Sequence, residues 1–386
     1  MACAPGKFAF AIGLIAACAG SAQAGEWTVT PEFSWLADHA SNRALRDGAP
    51  ETQSLGASLD VVLARRDETS EFQVRPHYRL QRFEEHLYPN VDDKQLETLA
   101  RWQFENSSLD VSAQAGEEST LTSELAETGL VRADANRRTV AGAFGWRYDS
   151  SENRQFSLSL SYQDVDYTGA FQDVLTGYRY ASATVGESFS LSPRVALLVN
   201  AFGSQLRNPE RGSTSDERGT SLGVRYAWTE RTTISLSLGV SRQDSDGRDS
   251  SGTTRDLSLE HKGEVLDWSV EYSHRLQPYG TGVLAERDTA ALQIVRNFGP
   301  RISTVLSGSY ARNEDGGFGL TFDSRDYRFS EAAFRWQVRE TWGMSFTGGY
   351  SSARQDATLF NGAEEAGGWS VSVRTHWAPR PLVIGH

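Results

Sequence analysis

Residues 231–242 read RTTISLSLGVSR, with Ile234, Leu236, Leu238 and Val240 on one side and Ser235, Ser237, Gly239 and Ser241 on the other. A period of two sustained this long describes a β-strand with two unlike faces. The apolar face must be covered, either by the core of a soluble sandwich or by lipid. The rest of the chain decides between them.

The same alternation recurs from Trp27 onward in eighteen segments, with no convincing helical pattern and no linker between them. Apolar rows include Trp27, Val29, Phe33, Trp35 and Phe156, Leu158, Leu160, Tyr162, and also Leu222, Val224, Tyr226, Trp228. The opposite rows read Thr28, Thr30, Glu32, then Gln73, Arg75, His77, Arg79, then Asp267, Ser269, Glu271. Such rows cannot form a dry core, because unpaired buried charge costs far more than burial returns. They must be wet, which leaves lipid to cover the apolar rows.

Connection lengths point the same way. Tight turns at 65–68, 106, 229–231, 262–264 and 298–300 exchange places with longer polar segments at 37–50, 82–93, 116–136, 206–217, 243–252, 313–324 and 354–365. Every long segment then falls at one end of the strands, as in a barrel with short periplasmic turns and long extracellular loops. The expected fold is all-β: a transmembrane antiparallel up-and-down β-barrel in the outer membrane. Eighteen strands are expected, with sixteen the alternative because 107–115 and 253–261 alternate weakly. Tryptophans 35, 102, 146, 228, 268, 336, 342, 369 and 377 fall towards strand ends, where interfacial girdles sit. A secreted all-β binding protein is the rival fold reading.

The N-terminus supports export from the cytoplasm. Lys7, the apolar run 8–17 and Ala22-Gln23-Ala24 have the order of a secretory signal over residues 1–24. The barrel is then expected over 25–378 and a tail over 379–386. Ile15-Ala16-Ala17-Cys18 also fits a lipoprotein site, with Cys18 as the lipid acceptor. Cys3 and Cys18 are the two cysteines, so cleavage after Ala24 leaves no thiol for disulfides or thiolate metal sites. A net charge of -12 argues against a nucleic-acid partner.

No constellation for catalysis is apparent, and no cofactor or metal is expected. The seven histidines are scattered, and the adjacent Ser273 and His274 point to opposite faces of one strand, so they cannot act as nucleophile and base. The chemistry belongs to the expected lumen instead. Its expected lining includes Arg75, Arg79, Arg101, Asp110, Arg147, Arg225, Asp267, Glu271, Arg335 and Arg374 among Ser, Thr and Gln. The 116–136 segment, by its length, is the expected constriction. Outer-membrane lipid and lipopolysaccharide would surround the barrel, and the barrel assembly machinery would insert it. The final strand, Trp369 to Trp377, resembles the C-terminal signal that this machinery reads, except that residues 378–386 follow the last aromatic.

From Tyr272 to Tyr350 the text YSHRLQPYGTGVLAERDTAALQIVRNFGPRISTVLSGSY, then DSRDYRFSEAAFRWQVRETWGMSFTGGY, resembles β-barrel porins that accompany exopolysaccharide or exosortase gene clusters in Gram-negative bacteria. The shared feature is a charged strand entry, Glu286-Arg287-Asp288 or Ser324-Arg325-Asp326-Tyr327, followed by an alternating strand, a tight turn and a strand ending in an aromatic such as Tyr310 or Tyr350. The resemblance implies an outer-membrane porin that exports exopolysaccharide, with the polysaccharide and periplasmic export components as partners. Composition alone fits a general diffusion porin for small solutes equally well.

Overall fold

A computed structural model describes residues 26–45, 48–84, 88–121, 123, 135–169, 175–246, 248–314, 325–355 and 364–384. Residues 1–24, expected as a signal, and Cys18 among them lie outside the described residues. In chain order the strands are β1 (Glu26–Ala40), β2 (Thr52–Arg66), β3 (Ser70–Phe83), β4 (Val91–Gln103), β5 (Ser107–Ser119), β6 (Ala135–Ser151), β7 (Arg154–Gly169), β8 (Tyr178–Ser192), β9 (Val195–Asn208) and β10 (Ser213–Thr229). They continue with β11 (Thr232–Ser245), β12 (Arg248–Lys262), β13 (Leu266–Tyr279), β14 (Val283–Asn297), β15 (Ile302–Glu314), β16 (Arg325–Arg339), β17 (Trp342–Gln355), β18 (Glu364–Trp377) and the short β19 (Leu382–Ile384). Each of β1 to β18 pairs antiparallel with its sequence neighbours, and β18 closes on β1 through Phe33↔Trp377 to Ala40↔Ser370. The result is a closed eighteen-stranded barrel.

Directly opposed residues share a face, so the register fixes inside and outside around the whole ring. Beginning at Asp60↔His77 and passing through Glu71↔Arg101, Arg101↔Asp110, Ser108↔Arg147 and Asn200↔Ser221, the polar rows form one continuous inner face. The apolar rows form the outer face. All ten tryptophans project outward. On β17 the outward Trp342 and Tyr350 stand eight residues apart, roughly 27 Å along the strand and about 20 Å in height at a tilt of ~40°. That matches the height of a lipid-facing band. In the opening stretch Leu236, Leu238 and Val240 face outward, 46%, 55% and 63% exposed, where only lipid can cover them. The molecule is an outer-membrane barrel.

Short turns at 67–69, 104–106, 152–153, 193–194, 230–231, 263–265, 298–301 and 340–341 mark the periplasmic end. Two segments expected as long loops prove to be strand: β9 and β10 leave only 209–212 between them, and β11 and β12 leave only 246–247. Above the membrane both faces of a strand are wet, so its composition there resembles a loop.

Residues 379–386, expected as a tail, contribute β19, which pairs with Trp27–Val29 of β1. β18 meets β1 with Phe33↔Trp377 and β19 with Val29↔Leu382, a slip of one residue across 378–381. One-residue slips exchange the faces of everything beyond them. Here the slip turns Leu382 and Ile384 outward beside Val29 and Trp27.

Candidate functional site

With about 4.8 Å between strands and a tilt of about 40°, an eighteen-stranded cylinder is roughly 36 Å across at the backbone. The inner face of that cylinder is the candidate site. Alternation positions its side chains: on β3 alone Glu71, Gln73, Arg75, His77, Arg79 and Gln81 all face inward.

The ten residues expected to line the lumen all fall on this face by register. Several form a ladder of cross-strand ion pairs. Arg75 donates from Nε and Nη2 to Asp60 Oδ1 at 3.2 and 3.0 Å, and His77 Nδ1 lies 2.9 Å from the same oxygen. Arg79 is 2.8 Å from Asp93, and Arg101 Nε donates to Asp110 at 2.6 Å with Glu71 at 3.9 Å. Asp267 accepts the Gly263 N–H at 2.9 Å, close to the periplasmic turn. Arg147, Arg225, Arg335 and Arg374 have no ion pair or hydrogen bond among the described residues, and neither do the inward Glu32, Glu271 and Glu331.

Arg75, Arg79, Arg335 and Arg374 come together with Glu32, Asp60, Glu331 and His376 around one recess of about 880 Å³. Glu271 lies on a second, smaller recess with Asp256 and Arg275, which bond to each other. Arg101, Asp110, Arg147, Arg225 and Asp267 lie elsewhere on the wall. Ser273 and His274 do point to opposite faces: Ser273 Oγ bonds Thr289 Oγ1 inside, while His274 and Tyr272 share Asp288 outside.

Among the described residues, two internal bridges narrow the extracellular half. The first is the β13–β14 hairpin. Pairing between β12 and β13 stops at Arg255↔His274, but β13 and β14 stay paired as far as Tyr279↔Val283. The freed hairpin leans across the lumen to the tops of β7, β8 and β9. There Thr176 N–H donates to Gly280 O at 3.0 Å and Thr176 Oγ1 to Thr281 O at 2.6 Å. Leu284 joins Val165, Tyr167, Tyr178 and Leu206 in a buried apolar cluster. This chord shields the upper inner faces of β10 to β12, which explains why polar Glu217, Ser241, Gln243 and Thr254 are buried there.

The second bridge is the β1–β2 connection. Ala44 packs with Tyr88, Val91 and Leu121 on one wall, while its neighbour Leu45 packs with Ala311 and Tyr327 on another. Arg43 pairs with Asp38 and lies over the Phe83 ring. Of the expected constriction, 116–119 continues β5 and 124–134 lie outside the described residues. The hairpin was missed, although the inner row there carries a signal: Val165, Tyr167, Tyr178 and Leu206 are apolar or aromatic residues on an otherwise polar face.

A closed antiparallel barrel with an apolar exterior, a charged lumen and a narrowed outer mouth has the architecture of an outer-membrane porin. No family model and no curated relative matches the chain. Among solved structures it is similar to Pseudomonas aeruginosa OccK5 (OpdH), with a TM-score of 0.50, 11% identity and coverage of 93% of this chain and 99% of that one. Acinetobacter baumannii OccAB3 aligns at 0.48 and 10% identity over 92% and 99% of the two chains. The siderophore receptor PirA of P. aeruginosa aligns at 0.42 and 10% over 90% and 80%. At such identities the likeness to OccK5 concerns the fold alone.

Proposed function

We propose that this barrel is a water-filled channel for small polar solutes. The observation that carries the reading is the combination of a continuous wet, charged inner wall with two bridges across its outer half. Opposed charges such as Asp60 and Arg75 beside Arg335, Arg374 and Glu331 supply many weak, exchangeable contacts, which favour passage over retention. The bridges restrict the width of what passes. A polysaccharide chain, the cargo implied by the family resemblance, would have to thread past both the β13–β14 hairpin and Leu45.

Reconstitution in planar bilayers and liposomes tests this. Ohmic conductance and liposome swelling by monosaccharides and amino acids, with exclusion of long oligosaccharides, are expected. A closed membrane, together with loss of surface polysaccharide on gene deletion, would reject the solute channel in favour of export.

A further inference from the structure

Just above the lipid-facing band, every wall strand carries outward polar or charged side chains, and the register shows how they meet. Across β4 to β7 the directly opposed residues run Lys94, Glu117, Arg138, Asp166, alternating in sign. Across β14 to β18 they run Asp288, Arg312, Asp326, Arg354, Glu365, again alternating, with His274 of β13 bonded to Asp288 at the end of the row. Both sectors neutralise themselves, as the 3.2 Å Arg138–Glu117 contact illustrates.

Between them, across β8 to β11, the alternation breaks. Arg179 stands directly opposite Arg207, and Arg218 directly opposite Arg242. Like charges directly opposed across strands destabilise a sheet unless a counter-charge joins them. Protein carboxylates supply part of it: Arg242 holds Asp249 bidentately at 2.6 and 3.2 Å, and Arg179 lies 3.6 Å from Asp164. Arg218 has no ion pair or hydrogen bond among the described residues and shares the field of Asp249 only at longer range, while Arg207, opposite Thr214, stands two rows further up. The carboxylates of Asp216 and Asp244 form the next row up, on the water side, and Asp216 accepts from Gln205 at 2.6 Å. Below Arg218 and Arg242 come exposed Leu222, Leu238 and Val240.

An arginine pair over an apolar strip, on the outside of the barrel at the depth of the outer-leaflet headgroups, is complementary to a phosphorylated glycolipid. We propose that Arg218 and Arg242 hold a phosphate of lipid A in lipopolysaccharide, and that its acyl chains lie along Leu222, Leu238 and Val240. Planar guanidinium forks bind phosphate bidentately, which suits arginine rather than lysine at these positions. The inference concerns the outer surface and holds whether or not the lumen conducts.

The test uses full-length mature protein, stripped of lipid in detergent, and measures binding of bisphosphorylated lipid A and of the same lipid A freed of phosphate. Arg218→Gln with Arg242→Gln is expected to weaken binding of the bisphosphorylated form about thirtyfold, the effect of two arginines at a membrane surface. Arg312→Gln with Arg354→Gln, in a self-neutralised sector, is expected to bind as the unaltered protein does. Heat-modifiable migration on a gel confirms that each variant is folded. Wild-type affinity in the Arg218/Arg242 variant would overturn the proposal. Equal binding of phosphate-free lipid A by the unaltered protein would overturn it too, and that arm requires no variant to fold.

Discussion

Asn208 and Gly282, 74 residues apart in the chain, meet above the lumen: the Asn208 side-chain amide donates to the Gly282 carbonyl at 3.5 Å and to Thr176 Oγ1 at 3.0 Å. Strands β9 and β14 are not neighbours in the wall, so this contact latches the β13–β14 hairpin across the barrel. Gly282 has φ +75°, and a Cβ there would stand 2.1 Å from Asn208 Nδ2. Both the backbone and the space therefore call for glycine.

Gly282→Val should unseat the latch, at a local strain cost of about 1–3 kcal/mol. The wall is untouched, so the variant should still fold and insert. Single-channel conductance is expected to rise as the chord swings out, and Asn208→Ala should move it in the same direction by less. Unchanged conductance in both variants would mean that the hairpin does not limit flow.

Asp60 neutralises Arg75 and accepts from His77 on the inner wall. Asp60→Asn should leave Arg75 as an uncompensated cation and move the reversal potential under a KCl gradient towards anion preference. Arg335→Gln, which removes a cation without a partner, should move it the other way. Both shifts should be large at 0.01 M salt and small at 1 M, where the screening length falls from about 30 Å to about 3 Å. Shifts of the same sign in the two variants would contradict the charge assignment.

Asp67 organises the periplasmic β2–β3 turn, accepting from Thr69 N–H at 3.0 Å, Ser70 N–H at 2.6 Å and Ser70 Oγ at 2.7 Å. The Ser70 hydroxyl first, and then the backbone donors, hold its carboxyl below the ordinary aspartate value. A depressed folded pKa gives stability that is present above the unfolded value, near 3.9, and lost as pH falls through the folded one. Asp67→Ala should therefore lower the urea midpoint at pH 7, and the gap to the unaltered protein should close at about pH 2. An equal gap at both pH values would refute this.

The barrel was legible because membrane and water each impose a composition on one face, and the strands keep those faces in strict alternation. The strand tops were not legible: around Arg242 to Ser251 both sides meet water, so the period of two disappears although the ladder continues. Nor was the fold-over of the hairpin, since Leu276 and Leu284 alternate along β13 and β14 just as lipid-facing residues do. Only their partners distinguish them, and Leu206 and Val165 come from strands far away in sequence. Four of the ten luminal residues named from the sequence lie together around one recess, because spatial neighbourhood across β16, β18 and β3 depends on barrel closure. No local pattern encodes that closure.

The stretch at 231–242 allows the sharpest test of the faces, because adjacent positions make opposite predictions. Leu238 faces lipid and is 55% exposed, whereas Ser237 faces the lumen opposite Asp256 on β12. Leu238→Arg places a guanidinium in the apolar band, which costs about 2–4 kcal/mol near the midplane and less towards an interface. Ser237→Arg places the same side chain in a wet lumen beside Asp256 and its partner Arg275, and its cost should stay below about 1 kcal/mol. Urea titration of protein folded into phospholipid vesicles measures both. A soluble sandwich with the apolar face inside would also reject Leu238→Arg, but its mature chain would fold without detergent or lipid. Equal costs for the two substitutions would remove the assignment of Leu238 to lipid and Ser237 to the channel.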